Sequence, residues 1–126
     1  CFLTSQMNLH ASAALWQAPE LPTGQCVIGL SHSADYIYPI SRAGVQAVFA
    51  GHFHGGQFQL PVLGPVLVPS RYGRQFYRGH FVVNETHLFV SAGIGCAEPA
   101  LRLYCPPDML VVDFTPDEMP VPDRPG

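Results

Sequence analysis

The stretch that decides the fold runs from Val45 to Gly56 and reads VQAVFAGHFHGG. An apolar run ends in Gly51, two histidines separated by one residue follow, and two more glycines come after them. An apolar run bounded by turn residues is typical of a buried strand. Because residues i and i+2 of an extended backbone point to the same side, His52 and His54 are predicted to project together from the end of that strand.

A second apolar run, Cys26 to Leu30, comes earlier in the chain and is followed by His32. Between the two runs, Pro39 predicts the first turn of a brief helix that continues through Ala43 and is closed by Gly44. Two buried strands joined by a helical crossover form a β-α-β unit with parallel strands. Ligands collect at the carboxyl ends of the strands in open α/β sheets, so the histidines after both strands are predicted to meet at one edge.

Outside this unit the pattern predicts one amphipathic helix and a strand-rich second half. The helix covers residues 5–17, where apolar side chains recur at helical spacing before Pro19. The second half is predicted to be antiparallel, with Asn84-Glu85 as a tight hairpin turn. Its predicted strands cover residues 75–83, 86–91, 101–103 and 109–114. The folded domain is predicted to span residues 1–115, followed by a proline-rich disordered tail over residues 116–126.

The composition indicates a globular chain with few charges. Hydrophobic residues make up 48% of the 126 residues and charged residues 12%, so we expect a weakly charged surface. All basic residues are arginines and the net charge is −3, which offers no basic footprint for nucleic acid. No apolar run approaches the roughly 20 residues that a membrane-spanning helix needs.

The cysteines show no Cys-x-x-Cys spacing; they are Cys1, Cys26, Cys96 and Cys105. Scattered free thiols are the simplest interpretation, and a disulfide pair or metal binding are the alternatives. The sequence opens without a methionine and without a signal pattern, from which we expect it to be a piece of something longer.

Three histidines, His32, His52 and His54, form the candidate metal site. Neutral imidazoles suit zinc, iron, nickel or copper, with carboxylates or waters completing the coordination. The glycines around the histidine pair allow sharp turns and close approach of a ligand to the backbone. An isolated His-x-His is more often an exposed loop, but the glycines and the second strand-end histidine favour metal binding here.

At these residues the sequence resembles the calcineurin-like metallophosphoesterases. Gly29-Leu30-Ser31-His32 and Gly51-His52-Phe53-His54 are similar to the last two motifs of that family. Other segments look like a bacterial phosphodiesterase branch that acts at membranes: His54-Gly55-Gly56-Gln57, Leu60-Pro61, Gly64-Pro65, Ser70-Arg71-Tyr72-Gly73 and Cys105-Pro106-Pro107. The resemblance covers roughly residues 20 to 115.

The resemblance implies an α/β fold, the C-terminal half of a four-layer αββα sandwich with a β-rich second half. It implies two divalent metal ions (manganese, iron, zinc or magnesium), one bound by His32 and His52 and the other by His54. Such paired ions polarise phosphoryl oxygens and activate water for in-line attack on phosphorus. The implied activity is hydrolysis of a phosphodiester or phosphomonoester, lipid-linked esters included, in the cytoplasm or at the membrane periphery.

The sequence departs from the family pattern in its missing motifs. The family also has Asp-x-His, Gly-Asp-x-x-Asp and Gly-Asn-His motifs upstream, and none of them is present. Three histidines cannot hold two divalent ions against water, so we expect an enzyme half that is inactive alone and needs the missing half or a complementing chain. No catalytic residue is assigned. The alternative is a non-catalytic or degenerate module that binds a metal or a partner.

Arg71 and Arg74 are candidates for binding the substrate's phosphate, because the planar arginine fork matches phosphate geometry. The nearby Arg78 is a third such candidate, and the alternative for all three is that they are solvated strand or loop residues. Asp35 is predicted either to orient His32 or to cap a loop.

Two further groups of residues are interpreted as structural. The aromatic residues after the histidine loop are predicted to pack in the core or across strands rather than line a lipid-accessible rim; they are Tyr72, Phe76, Tyr77 and Phe81. The histidines without glycine neighbours are interpreted as structural or surface residues; they are His10, His80 and His87.

Overall fold

The computed structural model describes residues 2–3, 20–22 and 25–115 of the chain. The helix predicted over residues 5–17 and the tail predicted over residues 116–126 lie outside the described residues. Among the described residues, no helix has both the length and the apolar character needed to cross a membrane.

The described elements alternate strands with short helical turns. In chain order they are β1 (Phe2–Leu3), β2 (Ile28–Ser33), a 3-10 turn (Ala34–Tyr36), α1 (Ile37–Arg42), β3 (Ala47–Gly51), a second 3-10 turn (His54–Gly56), β4 (Gln59–Leu60), β5 (Gly64–Pro65), β6 (Gly79–Val83) and β7 (Thr86–Val90). The predicted α/β class is confirmed.

Five of the strands form one mixed sheet in the order β1-β2-β3-β7-β6. The first four of these are parallel, and only β6 runs antiparallel to its neighbour β7. The predicted β-α-β unit is β2-α1-β3. The prediction of an antiparallel second half holds for the pairs β4-β5 and β6-β7, but β7 also pairs in parallel with β3 and so extends the first sheet.

The core lies between this sheet and α1. Val48 of β3 and Leu88 and Val90 of β7 are almost completely buried, and they share one cluster with Ile37 and Ile40 of the helix. A strand covered on both faces reads as a continuous apolar run, which is why residues 45–50 were recognisable from the sequence. Burying these side chains is the main favourable contribution to folding.

Helix α1 ends as its sequence predicts. Arg42 is its last helical residue, Ala43 is the C-cap, and Gly44 follows with a φ of +84°. Glycine adopts this left-handed conformation without a Cβ clash and commonly terminates helices. The chain then turns directly into β3.

Three predicted strands of the second half are wrong in extent or absent. The strand predicted over residues 75–83 begins only at Gly79, because turns from residue 71 bring Phe76 into the core. Residues 101–103 contribute a single bridge, between Leu103 and Phe58. Residues 109–114 form no ladder; they follow Pro106-Pro107, which has no backbone N–H to donate.

The aromatic residues after the histidine loop pack in the core. Phe76 is buried, and Tyr72, Tyr77 and Phe81 lie partly buried against the same cluster. The rings of Tyr72 and Phe81 meet the ring of Phe76 edge to face, with the Phe76 and Phe81 centroids 5.2 Å apart. The prediction of packing rather than a lipid-accessible rim is therefore confirmed.

Candidate functional site

Two histidine rings meet where β2 and β3 end. The Nε2 atom of His32 lies 2.9 Å from the Nδ1 atom of His52. The ring centroids are 4.4 Å apart and the ring planes are inclined by 44°. Both rings are exposed to solvent. The structure thus brings together His32 and His52, as the predicted parallel order of their strands implies.

A bulge in β2 changes the direction of the His32 side chain. The ladder pairs Ser31 with Ala50 and Ser33 with Gly51, which leaves His32 as the extra residue. A bulge takes one side chain out of the regular alternation of its strand. His32 lies near the end of β2 rather than after it, and the bulge is what allows its ring to reach the edge of the sheet.

His52 occupies a strained turn. Its φ is +74°, and the N–H of Phe53 donates to the carbonyl oxygen of Gly51 at 2.9 Å, the i to i+2 pattern of a γ-turn with positive φ. This conformation is uncommon and strained for a residue with a side chain. Phe53 is buried and holds the turn against the core. Strain of this kind concentrates at ligand-binding sites.

His54 also leaves the extended backbone. Its φ is +48°, so the prediction that residues 52–54 are extended is wrong: the chain turns as soon as β3 ends. The Nδ1 atom of His54 lies 3.1 Å from the carbonyl oxygen of Gly95. Because a carbonyl only accepts, Nδ1 carries the proton in this hydrogen bond, and Nε2 keeps a lone pair for a ligand.

The two glycines after His54 allow the loop to pack closely. Gly55 and Gly56 have φ values of +63° and +76°. A Cβ atom on Gly55 would lie 2.8 Å from the Sγ atom of Cys105, and one on Gly56 would overlap the side chain of Pro65. Both the backbone conformation and the close contacts therefore require glycine.

Arg102 fixes the loops around His54, and the sequence did not predict this role. Its guanidinium donates hydrogen bonds to the carbonyl oxygens of His54, Ala92, Gly93, Gly95 and Cys105. The arginine thus holds both the His54 peptide and the carbonyl that binds the His54 ring. In the sequence, Arg102 appears only as a charged residue between two leucines. That pattern led to the prediction of a strand over residues 101–103.

A cleft of about 600 Å³ opens beside the histidine loop. It is lined by His52 and His54 together with the apolar residues Val66, Leu67 and Pro69. Ligand pockets commonly have volumes of about 300–1,000 Å³ and mix apolar walls with a few polar groups. The cleft therefore has the size and lining of a small-molecule site.

The environment of His52 favours its neutral form. Partial desolvation lowers the pKa of His52 below 6.5, and the imidazoles of His32 and His54 lower it further, against a raising effect of Asp35. Metal ligation requires the neutral imidazole. The electrostatics of the loop are therefore compatible with a bound cation.

Asp35 caps a loop and makes no hydrogen bond with His32. Its carboxylate accepts hydrogen bonds from the Ser70 hydroxyl at 2.5 Å and from the Arg71 backbone N–H at 3.2 Å. Of the two predicted roles, the structure shows loop capping. This contact ties the segment after β5 to the end of β2.

Two of the three candidate phosphate-binding arginines have other partners in the structure. Arg74 donates to the carbonyl oxygen of Leu63 at 2.8 Å, and Arg78 pairs with Asp108 at 2.8 Å. Arg71 is exposed. The cleft lining that the structure describes does not include these three side chains. Substrate binding by Arg71 and Arg74 stays a prediction.

The geometry of the first histidine pair fits one metal ion. Two nitrogens each about 2.0–2.1 Å from an ion would be roughly 2.9 to 3.4 Å apart at octahedral or tetrahedral angles. The observed 2.9 Å between His32 and His52 lies in this range. Within residues 20–22 and 25–115, no three histidine, cysteine or acidic side chains gather in one group. Further ligands would have to come from water or from outside these residues.

Curated proteins of one family match this chain. It is 34% identical over 82 residues to the uncharacterized metallophosphoesterase YkuE of Bacillus subtilis (strain 168), which covers 65% of this chain and 28% of YkuE. It is 26% identical over 114 residues to the phosphodiesterase YaeI of Escherichia coli (strain K12), which covers 86% of this chain and 42% of YaeI. The chain is thus similar to proteins named metallophosphoesterase and phosphodiesterase.

A third relative is also named a metallophosphoesterase. The uncharacterized metallophosphoesterase Cj0846 of Campylobacter jejuni is 27% identical over 96 residues, which cover 75% of this chain and 24% of Cj0846. The chain thus spans less than half the length of the curated relatives it matches, and the matching part is their carboxyl-terminal part. No family model and no solved structure matches the chain.

Gln57 is a second residue beside the cleft whose role the sequence did not predict. Its buried side chain donates to the carbonyl oxygens of Ala97 and Pro99 and accepts from the N–H of Ala97. It thereby fixes residues 97–99 beside the cleft. Its position directly after the two glycines marked it as part of the motif, but only the structure shows what it binds.

Proposed function

We propose that this chain supplies histidine ligands to a divalent-metal site that hydrolyses phosphate esters. The observation that carries the proposal is the convergence of His32 and His52 at the carboxyl edge of the sheet, with their ring planes inclined by 44° and the cleft beside them. The metallophosphoesterase and phosphodiesterase names of the relatives support the same reaction class. The proposed substrate is a phosphodiester or a phosphomonoester.

Each histidine has a separate task in this proposal. His32 and His52 bind one divalent ion through the two nitrogens that face each other, and His54 binds a second ion through its free Nε2. Manganese, iron, zinc and magnesium are the candidate ions, and when bound they would polarise the phosphoryl oxygens and lower the pKa of water. The bond from His54 Nδ1 to Gly95 holds the ring in one orientation, as outer hydrogen bonds do for metal ligands.

The cleft beside the histidines is the proposed binding site for the ester. Val66, Leu67 and Pro69 supply an apolar wall and exclude water from one side of it. Low water content strengthens electrostatic interactions with the phosphoryl group. Arg71 and Arg74 remain candidates for a second contact with the phosphate.

We further propose that activity requires ligands beyond this chain. A pair of divalent ions needs more donors than three imidazoles, and carboxylates commonly complete such sites. The amino-terminal part of a metallophosphoesterase, or a complementing chain, would supply them.

The test joins this chain to an amino-terminal metallophosphoesterase half that carries Asp-x-His and Gly-Asn-His. Hydrolysis of bis(p-nitrophenyl) phosphate is measured with added Mn²⁺, and Mn²⁺ binding is followed separately by electron paramagnetic resonance. We expect His52→Ala and His54→Ala to remove most of the turnover and to weaken Mn²⁺ binding. His80→Ala is the matched control, because it removes an imidazole from another exposed strand.

The outcomes distinguish the two hypotheses that the sequence suggests, a phosphoesterase site and a non-catalytic module. Turnover that survives both histidine substitutions would refute the proposed site. Mn²⁺ binding that depends on His52 but brings no turnover in the joined protein would instead support a non-catalytic metal-binding module.

A further inference from the structure

The cleft beside the histidine loop contains an acidic residue that the proposed hydrolysis does not use. Besides the imidazoles of His52 and His54, the described lining has one ionisable side chain, that of Glu98. The rest of this lining is uncharged and largely apolar. In ligand pockets, a few polar groups on apolar walls fix the orientation of the ligand and determine its specificity. Glu98 is therefore placed to select the charge of the group that enters the cleft.

The carboxylate of Glu98 has no partner within the described part of the chain. Glu98 is exposed, and the ion pair found among the described residues joins Arg78 to Asp108 instead. No hydrogen bond in that part of the chain involves the Glu98 side chain. Arg102 is close in sequence, but its guanidinium donates to backbone carbonyl oxygens. The carboxylate is thus available to a cationic ligand.

One buried side chain fixes the backbone on both sides of Glu98. The amide nitrogen of Gln57 donates to the carbonyl oxygens of Ala97 at 3.1 Å and Pro99 at 2.8 Å. The amide oxygen of Gln57 accepts from the N–H of Ala97 at 2.8 Å. Gln57 directly follows the histidine loop, so Glu98 keeps a defined place beside that loop. A binding segment that is ordered in advance lowers the entropic cost of binding.

The fixed charges nearest the histidines are of both signs and belong to groups outside the cleft lining. The guanidinium of Arg102 binds the carbonyl oxygen of His54, and the carboxylate of Asp35 acts on His52. Glu98 differs from both because it lines the cleft itself. A charge on a cleft wall of low polarity acts strongly on a ligand inside the cleft. A cation is therefore favoured beside Glu98.

The apolar walls determine which kind of cation fits. Phe58, Val66, Leu67 and Pro69 line the cleft with Glu98, and their side chains accept no hydrogen bond. A primary ammonium group would lose hydrogen bonds to water there without replacing them. A quaternary ammonium group has no N–H to satisfy, and its methyl groups can pack on the walls. Aromatic rings also attract quaternary ammonium ions, and Phe58 contributes one to the lining.

We propose that the cleft binds a quaternary ammonium group beside Glu98. The ligand class is a phosphodiester whose alcohol carries such a group, as choline does. The carboxylate pairs with the cation, the apolar walls contact its methyl groups, and the phosphoryl group lies at the histidines. The last of these placements, and with it the role of the ligand as a substrate, rests on the proposed function.

The test compares two soluble esters that differ by one charge. They are p-nitrophenyl phosphorylcholine and p-nitrophenyl neohexyl phosphate, in which carbon replaces the ammonium nitrogen. Their binding to the protein joined to an amino-terminal half is measured without metal by ligand-detected nuclear magnetic resonance. We expect the wild-type protein to bind the choline ester more tightly. Glu98→Gln should lower the ratio of the two affinities about fivefold, the upper range for one exposed ion pair.

Two further variants serve as controls. Glu85→Gln removes the same charge at the β6-β7 turn, at the opposite end of β7 from the histidine loop, and should leave the ratio unchanged. Glu98→Asp keeps the charge on a shorter side chain and should retain most of the preference. Because the ratio compares two ligands on one protein, it does not depend on the fraction of a variant that folds.

Two results would overturn the proposal. One is equal or tighter binding of the neutral ester by the wild-type protein, and the other is an affinity ratio that Glu98→Gln does not change. Release of p-nitrophenol with Mn²⁺ is a separate measurement, in which the ratio of kcat/KM should follow the affinity ratio. Preference for the choline ester without turnover of either ester would support this inference and count against the proposed hydrolysis alone.

Discussion

The chain contains two histidine pairs with the same nitrogen–nitrogen distance and different surroundings. His32 and His52 approach to 2.9 Å, and so do Nε2 of His80 and Nδ1 of His87 on the β6-β7 hairpin. The planes of the first pair are inclined by 44° with centroids 4.4 Å apart, whereas those of the second differ by 9° with centroids 5.1 Å apart. The distance alone therefore does not distinguish a ligand site from a surface contact.

The second pair is a hydrogen-bonded surface contact. For two imidazoles in 2.9 Å contact, a 5.1 Å centroid separation is close to the largest possible, so the rings of His80 and His87 lie edge to edge in one plane. The facing nitrogens then point at each other, and one N–H occupies the space between them. Phe89 stacks on His80 at 4.6 Å. The prediction that these histidines are structural or surface residues agrees with this placement.

The first pair has a different ring orientation. The shorter centroid separation requires at least one ring of His32 and His52 to turn away from the line through the two nitrogens. Their lone pairs are therefore free to meet at a third point. The glycine loop and the cleft lie beside this pair. Ring orientation and open space, rather than distance, distinguish the candidate metal site.

The largest expected effect tests this contrast directly. We expect His52→Ala to weaken Mn²⁺ binding by at least about 100-fold, because loss of only an outer hydrogen bond to a metal ligand already costs 10- to 100-fold. His87→Ala should change it by less than about twofold, since a coplanar hydrogen-bonded pair offers no open coordination position. Titration of the protein joined to an amino-terminal half, with electron paramagnetic resonance detection, measures both. Equal effects of the two substitutions would remove the distinction between the pairs.

A smaller effect, on the free energy of unfolding, is expected from a substitution in the glycine loop that follows His54. Gly56→Ala should lower the free energy of unfolding by about 2 kcal/mol, because φ is +76° and the added methyl group overlaps Pro65. Gly95→Ala is the matched control: its φ is not in the left-handed region and nothing lies within 4 Å of the added Cβ atom. Urea denaturation at neutral pH measures both. A cost at Gly95 as large as at Gly56 would contradict the close packing of the histidine loop.

The sequence was sufficient for the elements whose pattern is local. The buried run of β3, the glycine that ends α1 and the two-residue turn at Asn84-Glu85 all follow from short-range rules, and the structure contains each of them. The convergence of His32 and His52 followed from parallel strand order. These features need no knowledge of distant parts of the chain.

The features that the sequence did not predict, or predicted wrongly, depend on long-range contacts. The parallel pairing of β7 with β3 brings together residues about 40 positions apart, and nothing in the apolar run of β7 specifies its partner. The guanidinium of Arg102 binds carbonyl oxygens in three separate segments, at His54, residues 92–95 and Cys105, so its role is visible only when they are assembled. The strand predicted over residues 109–114 is an apolar run that forms no ladder in the structure.

Asp108 has an acid-sensitive carboxylate that fixes the loop at residues 91–93. Burial acts to raise the pKa of Asp108, but hydrogen bonds from the Ser91 hydroxyl and the Gly93 and Ala92 backbone N–H groups, with the charge of Arg78, hold it below 3.8. A folded-state pKa below the unfolded one gives stability that is present above the unfolded value and lost as pH falls through the folded value. Asp108 should therefore stabilise the loop at residues 91–93 at neutral pH and stop doing so in strong acid.

Asp108→Asn isolates this contribution. At neutral pH we expect it to lower the free energy of unfolding by about 1–2 kcal/mol, because hydrogen bonds to a charged group are replaced by weaker ones. Below the folded-state pKa the substitution should cost much less, since the wild-type carboxyl is then also neutral. Denaturation of both proteins at neutral pH and in strong acid measures the difference. A cost independent of pH would show that shape, not charge, is what Asp108 contributes.

The smallest effect concerns the turn that carries the second pair. Asn84 and Glu85 have φ values of +47° and +68° and connect paired Val83 and Thr86, the geometry of a type I′ turn. Glu85→Gly should raise the free energy of unfolding by about 0.5–1 kcal/mol, because it removes the Cβ clash of the left-handed conformation. Glu85→Ala removes the same charge but keeps the Cβ atom, and should give no gain. Metal binding at His32 and His52 should be unchanged in both variants, because this turn lies at the opposite end of β7 from the histidine loop.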